Sequence, residues 1–380
     1  MTTSPARRLR HWMLALLLGT CAAVQAAAQT TYRIVQLSAD PYTAGFINAK
    51  GQVAFTESSG GELRAKFYDG RRVRDMGNLG GPGATVTALN DHGQATGYSL
   101  LSSTDSVQHA FIWHTSTGMA DLSPAGSGDS VATDINNRGQ IAGIAGGMAF
   151  RWSRDEGLRS LGSFGAGSYA TALNAAGTVV GVAPVLDPNG DPLGLPFRWT
   201  AAQGMVALSY LGNQTTSALD INNAGHIVGT ALFEPGGGAQ RAFLWTPRQG
   251  LLDLGAGSGN FSSAHRINAQ GMVIGALSNF PEYQHGFIWT RADGFLEIGG
   301  PDAAIATTRA LNDHGQVVGG IDGRAYVWTR SGGIVYLDER LSGAPAGLVL
   351  LEAHAISDNG AIVANANTGL VLLVPQEHCD

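Results

Sequence analysis

An apolar residue, then Asn, then Gly three positions later recurs along the whole chain. It reads INAKG at Asn48, LNDHG at Asn90, INNRG at Asn136, LNAAG at Asn174, INNAG at Asn222, INAQG at Asn268 and LNDHG at Asn312; ISDNG puts Ser357 in the Asn place of an eighth copy. Asn or Ser opening a type I turn, with Gly fourth to take positive φ, is the chemistry of a tight hairpin with a bulge, so each copy joins two antiparallel strands. Spacings of roughly 40 to 50 residues between copies make the chain a repeat array rather than two unrelated domains. In six copies a second Gly stands seven after the Asn (Gly97, Gly143, Gly181, Gly229, Gly275, Gly319), and is expected to close a short apolar strand such as QVVG.

A second anchor fixes the other half of the repeat. Trp113, Trp152, Trp199, Trp245, Trp289 and Trp328 are each followed five residues later by Gly, with polar residues between two apolar runs, which again spells a hairpin. The run after it ends in triplets such as Asp75-Met76-Gly77, Asp253-Leu254-Gly255 and Glu297-Ile298-Gly299. Each repeat therefore holds four strands: S-x-A-x-x-I-N, Q-V-V-G, A-F-x-W and G-x-x-D-L-G. Four-stranded antiparallel units at this period predict a β-propeller. The Gly- and Ser-rich connection from D-L-G to the next I-N is 13 or 14 residues in six copies. That length suits a crossing of roughly 15 Å from the outer edge of one blade to the inner edge of the next, so the I-N strand is innermost. Small residues three before the Ile (Ala44, Ala132, Ala170, Ala218, Ala264, Ala353) suit a crowded axis.

The last repeat stops at Pro375 before any fourth strand, while YRIVQL, Tyr32 to Leu37, carries that strand's pattern ahead of the first I-N. The expectation is an all-β, eight-bladed propeller of four-stranded antiparallel blades, its ring closed by pairing the N-terminal strand with the last blade. Seven blades is the alternative, if one end repeat is not a true blade.

The combined A-F-x-W, D-L-G and I-N-x-x-G spacing resembles the bacterial extracellular repeat family named for its His-Ala-Phe (HAF) motif. That motif is carried by His109-Ala110-Phe111 and more loosely by Arg241-Ala242-Phe243 and His285-Gly286-Phe287. The resemblance covers nearly the whole chain after residue 28 and departs at the ends, where Tyr68 and Leu373 take the Trp place. It implies an exported protein and no generally assigned activity.

Residues 1–28 read as a secretory signal peptide: Arg7, Arg8 and Arg10 precede an apolar run from Trp12 to Leu18 and a small-residue stretch. Cleavage is expected after Ala28, or after Ala26, and the run is too short to span a bilayer. LGTC makes a lipoprotein anchor at Cys21 a minor alternative. The propeller is then residues 29–375, with a tail at 376–380. Losing three Arg and no acid takes the net charge from −6 to −9. That leaves no basic stripe to displace the counterions of a nucleic acid. Cys379 is the sole remaining cysteine, so no intramolecular disulfide forms. A monomer without a transmembrane segment is expected, secreted to the periplasm or beyond.

Chemistry has two places to sit. In a meander the two hairpins share one face, and the Gly-rich crossings share the other with the connection from V-V-G to A-F-x-W. From Gly to Trp that connection runs 9 residues at 143 to 152, but 16 at 97 to 113 and 18 at 181 to 199. Length variation confined to one face marks the binding face of a propeller. Its candidate ligand contacts are Asp105, Asp187, Asp191, Glu234, Phe280, Glu282 and Tyr283, since carboxylates accept from hydroxyls and rings offer flat apolar faces. Asp187, Asn189 and Asp191 could ligate Ca²⁺ through oxygens but lack the full loop spacing and a distal Glu, so a plain turn competes. The second place is the axis, where Asp134, Asp220, His265, Arg266, Arg309 and His354 of the inner strands are candidates to line a channel. The histidines occupy different repeat positions and form no H-x-x-x-H pattern, which argues against a transition metal. Gly-rich strings such as GAGSGN follow no βαβ pattern and contain no P-loop Lys. The reading is a secreted, non-catalytic propeller binding a ligand, glycan or protein partner through the variable-loop face. The alternative is an extracellular hydrolase or lyase acting at the channel mouth.

Overall fold

The computed structural model describes residues 30–40, 43–104, 106–124, 126–208, 216–233, 239–279, 283–300 and 303–376. The expected signal peptide, Cys21 and Cys379 lie outside the described residues. No helix among the described residues is long and apolar enough to cross a membrane.

Eight four-stranded antiparallel sheets form the ring. Blades one to seven occupy residues 45–75, 84–121, 130–160, 169–207, 217–255, 261–298 and 306–336, each with its strands in sequence order from the axis outward. The eighth holds Leu350–Ile356, Ile362–Ala366 and Gly369–Gln376, and its outer strand is the N-terminal Thr31–Ser38. Ile34 pairs with Leu373 and Val35 with Leu372, so the ring closes by joining the two ends of the chain, and the expected eight blades, not seven, are present. Tyr68 opposite Val53 and Leu373 opposite Ile362 take the register that Trp113 takes opposite Ala95.

The repeat motifs turn out to be inter-blade devices. The Ser that opens an inner strand accepts from the A-F-x-W backbone of the blade before it: Ala110 N donates to Ser130 Oγ (2.8 Å), Ala149 N to Ser168 Oγ (2.9 Å) and Ala242 N to Ser262 Oγ (2.8 Å). The tryptophans face the preceding blade as well. Trp113 meets Phe67 at 4.9 Å between centroids, and Trp199 lies under Arg151 and Arg159 at 4.8 and 5.3 Å. Residues of two neighbouring blades share each apolar cluster, as where Phe67 and Ala65 pack with Phe111 and Trp113.

The second Gly of the repeat does not end its strand; Gly97 lies inside Ala95–Leu100 and Gly181 inside Val179–Leu186. What it does is leave room. A Cβ on Gly229 would lie 1.9 Å from Ser217 O and 2.9 Å from the ring of Phe243, and Gly97, Gly143, Gly181 and Gly275 are enclosed alike. The crowding has one source. The innermost strands of blades two to eight each carry a bulge, as between Ala218 and Asp220, which pushes backbone toward the second strand just where the fully buried Phe of A-F-x-W presses from the other side.

Candidate functional site

One end of the axis is closed by a belt of amides. Asn48 Nδ2 donates to Asn90 O, Asn90 to Asn136 O, Asn136 to Asn174 O, and so through Asn222, Asn268 and Asn312 to Ser357 O, at 3.0 to 3.2 Å. Each Oδ1 meanwhile caps its own turn; Asn222 Oδ1 accepts from Ala224 N and His226 N. Ser357 has no amide to give, and Asn359 Nδ2 completes the circle by donating to Ala49 O at 3.2 Å. The residue after the Asn makes a second, outer belt: Asp91 accepts from Ala49 N, Asn137 from Asp91 N, and Asp358 from Asp313 N. These belts surround a polar recess of about 390 Å³.

Above the belt, the bulged residue of each inner strand decides what the channel wall presents. In blades two to four it is Thr, and its hydroxyl bridges to the next blade: Thr87 to Ala132 O (2.8 Å), Thr133 to Ala170 O (3.1 Å), Thr171 to Ala218 O (2.9 Å). In blades six to eight the same place holds His265, Arg309 and His354. Arg309 donates to Glu352 through Nε (2.8 Å) and Nη2 (3.3 Å), and Thr307 Oγ1 donates to the same carboxylate at 2.7 Å. Although burial works against its ionisation, these bonds hold Glu352 below the usual carboxylate range. His354 Nε2 is buried without a hydrogen-bond partner, 4.0 Å from Glu352 Oε2. Burial, and then the cations Arg266 and Arg309, push His265 down; burial pushes His354 down against the pull of Glu352.

Asp134 and Asp220 stand one residue past the bulge in blades three and five and act as clamps. Asp134 accepts from Ile135 N (2.8 Å) and from Leu173 N of the next blade (2.9 Å); Asp220 accepts from Ile221 N and Ile267 N, both at 2.9 Å. Burial raises both carboxyls above the usual range; Arg266 opposes the rise at both, and the charge of Asp220 adds to it at Asp134. Arg266 is exposed and follows His265 on the innermost strand of blade six. All six residues assigned to the channel from sequence thus sit on innermost strands around one axis. Glu352 was missed, because nothing in a lone Glu before H-A-I signals an ion pair to the previous blade.

The variable-loop candidates are not gathered in this way. Asp105, Glu234, Phe280 and Glu282 lie outside the described residues; the backbone of Tyr283 begins the strand Tyr283–Thr290. Asp187 and Asp191 flank the tip of the long hairpin Val179–Leu186/Pro192–Thr200, where Asp187 Oδ1 caps the turn by accepting from Asn189 N and Asp191 N, both at 2.8 Å. No group of three or more His, Cys, Asp or Glu among the described residues is placed to hold a metal ion.

What this face does present is apolar. Leu63, Met148, Tyr169, Leu186 (59% exposed), Phe261 (44%), Ile305 (56%), Val349 and Leu351 all stand on the hairpin tips or inner-strand starts that end there. A cleft of about 970 Å³ opens in the wall at blade one, whose innermost strand is only Gly45–Ile47, between Phe46, Leu63 and Glu57. The histidines of the HAF motif lie elsewhere, toward the outer strands. His109 binds Asp121 (2.8 Å) and Ser127 O (3.2 Å), His285 binds Glu297 (2.5 Å) and Ala303 O (2.9 Å), and Arg241 pairs with Asp253 at 3.0 Å in the same place.

Neither a protein-family model nor any curated protein matches the sequence. Among solved structures, the β-propeller domain of the Trilobed protease from Pyrococcus furiosus, described as having an open velcro topology, is similar with a TM-score of 0.52 at 11% identity. The match covers 81% of this chain and 95% of that one. Dipeptidyl peptidase 4 of Porphyromonas gingivalis is similar at the same TM-score, 0.52, with 10% identity over 89% of this chain and 60% of that one. Likeness at such identities is likeness of fold, and with the eight closed sheets it makes this chain a β-propeller.

Proposed function

We propose that the chain is an exported, non-catalytic binding propeller whose ligand, a small molecule, glycan or protein partner, sits on the variable-loop face over the channel. The observation that carries this reading is the uneven distribution of exposed apolar side chains. Among the described residues, eight of the thirteen large exposed hydrophobics, Leu186, Phe261 and Ile305 among them, ring that one mouth, whereas the other mouth is lined by the polar Asn belts. An apolar rim of this kind on a monomer marks an interaction site. The expected test is binding of the mature protein to a panel of small molecules, glycans and proteins, with turnover followed in the same wells. The double variant Leu186→Glu, Ile305→Glu should lose the bound partner without loss of thermal stability, and retained binding would sink the reading. The cluster of Glu352, Arg309 and the unpartnered His354 supports a second reading, a hydrolase or lyase site in the channel. Turnover abolished by His354→Ala in a folded protein would establish it.

A further inference from the structure

We propose that the channel wall of blades six to eight is a receptor for the carboxylate of an apolar organic acid, its head on Arg266, Arg309 and His265 and its body on Phe261 and Ile305. The inference rests on entry from the variable-loop face and adds the ligand's chemical class.

Three observations converge. First, the bulge position is given in blades two to four to Thr, whose hydroxyl ties neighbouring blades together; in blades six to eight it is given to His265, Arg309 and His354. The clamping role is met elsewhere, by the Asp220 bridge to Ile267 N and by Glu352 on Thr307, where Arg309 adds its own ion pair, so His265 and Arg266 stay outside the blade-to-blade ties. Second, the carboxylates facing the same lumen are already engaged. Asp134 and Asp220 each accept two backbone amides, and Glu352 accepts from Arg309 and Thr307. Arg266, by contrast, makes no ion pair among the described residues; Nη1 reaches the carbonyl of His265 at 3.4 Å. A guanidinium is an anion fork, and one that no carboxylate engages at contact distance favours an incoming one.

Third, the apolar and cationic groups are on the same side of the same strands. Exposed and buried residues alternate up to the bulge, so Phe261 shares a side with His265, and Ile305, just before Ala306–Leu311, with Arg309, four residues deeper in each case. Four residues at ~3.3 Å put His265 and Arg309 about 13 Å below the rim. That is the length of an extended medium-chain tail or a two-ring body. A hydrophilic anion such as a sugar acid would leave Phe261 and Ile305 uncovered.

Decanoate, decanol and decylamine, titrated calorimetrically into the full mature protein, separate the terms. Decanoate should bind, with decanol weaker by about tenfold or more, the scale of a charge-assisted contact. Arg266→Met should weaken decanoate by a similar factor and leave decanol unchanged, because Arg266 holds no inter-blade bond; Arg266→Lys should retain most of the affinity. Ile305→Gln should weaken both ligands. Decylamine binding more tightly than decanoate, or decanoate affinity indifferent to both Arg266→Met and Arg309→Met in folded protein, overturns the proposal. If the panel yields a partner lost in Leu186→Glu, Ile305→Glu while decanoate and decanol both fail, this inference falls and the binding-face reading stands. If those rim substitutions leave every ligand bound, the binding-face reading itself falls.

Discussion

Asn222 makes its hydrogen bonds in two directions at once, which is why neither a smaller nor an isosteric acid can replace it. Its Oδ1 shapes its own hairpin and its Nδ2 reaches Asn268 O on the next blade. Asn222→Ala leaves buried backbone groups without partners, and a loss of about 2 to 3 kcal/mol in chemical unfolding is expected. Asn222→Asp keeps the turn but sets a carboxylate against a carbonyl, so it should cost at least as much and should worsen as pH rises through the carboxyl's titration. Gly229→Ala has no such gradation. Its Cβ would overlap Ser217 O, a backbone atom that cannot rotate away, and the variant is expected in the insoluble fraction even when Phe243 is cut to Leu. The turn role of these Asn and Gly residues was legible from their spacing. The amide's second bond was not, because its acceptor lies 46 residues away in sequence; nor was the clash at Gly229, which depends on a bulge that one strand imposes on another.

At the scale of the element, the inner strand alternates between two jobs, holding neighbours and facing the lumen, and the bulge is where the choice is made. Asp220→Ala removes a clamp and orphans Ile267 N, so about 1 to 3 kcal/mol of stability should go with it, and lost activity in that variant would not by itself identify a catalytic acid. His354 gives the sign of a pH effect. Burial lowers its folded-state titration below 6.5, with Glu352 pulling up and Arg309 pushing down, so below about pH 6.5 the unfolded chain binds the extra proton more readily. Its contribution is intact above that pH and is lost as pH falls toward the folded value. Thermal unfolding of His354→Gln should therefore change less than the parent between about pH 7.5 and about pH 5. The long hairpin of blade four is a different kind of element. Its tip at Asp187 to Asp191 holds only itself, and replacing those five residues by Asn-Gly, after the two-residue Gly146-Gly147 turn of blade three, should leave the unfolding midpoint within a few degrees.

For the whole molecule, stability is cooperative around a ring, and the ring has one non-covalent seam. Thr31–Ser38 closes it by pairing with Gly369–Gln376, and Tyr32 is buried among Leu337, Leu350 and Leu373. A chain beginning at residue 39 would expose the edge of Gly369–Gln376 and an apolar patch beneath it. It is expected to elute as aggregate in size-exclusion chromatography, and the chain beginning at residue 29 is expected to elute at the volume of a monomer. At the last turn Ser357 and Asn359 share the work of a simple Asn, and Asn359 Nδ2 carries the belt on to blade one at Ala49 O.

The sequence by itself determined the period, the four strands of each blade, the strand order from axis to rim, and the borrowing of the N-terminal strand, because turn chemistry and alternating apolar runs are local properties that repeat eight times. It also placed six charged or histidine residues on the inner strands. Only the tertiary structure decided which of those six clamp or pair across blades and which do not, because that depends on the amides and carboxylates presented by the neighbouring blade. The same holds for the apolar rim: Phe261, Ile305 and Leu186 are ordinary strand residues in sequence, and they become one surface only when eight sheets bring their inner edges to a common axis.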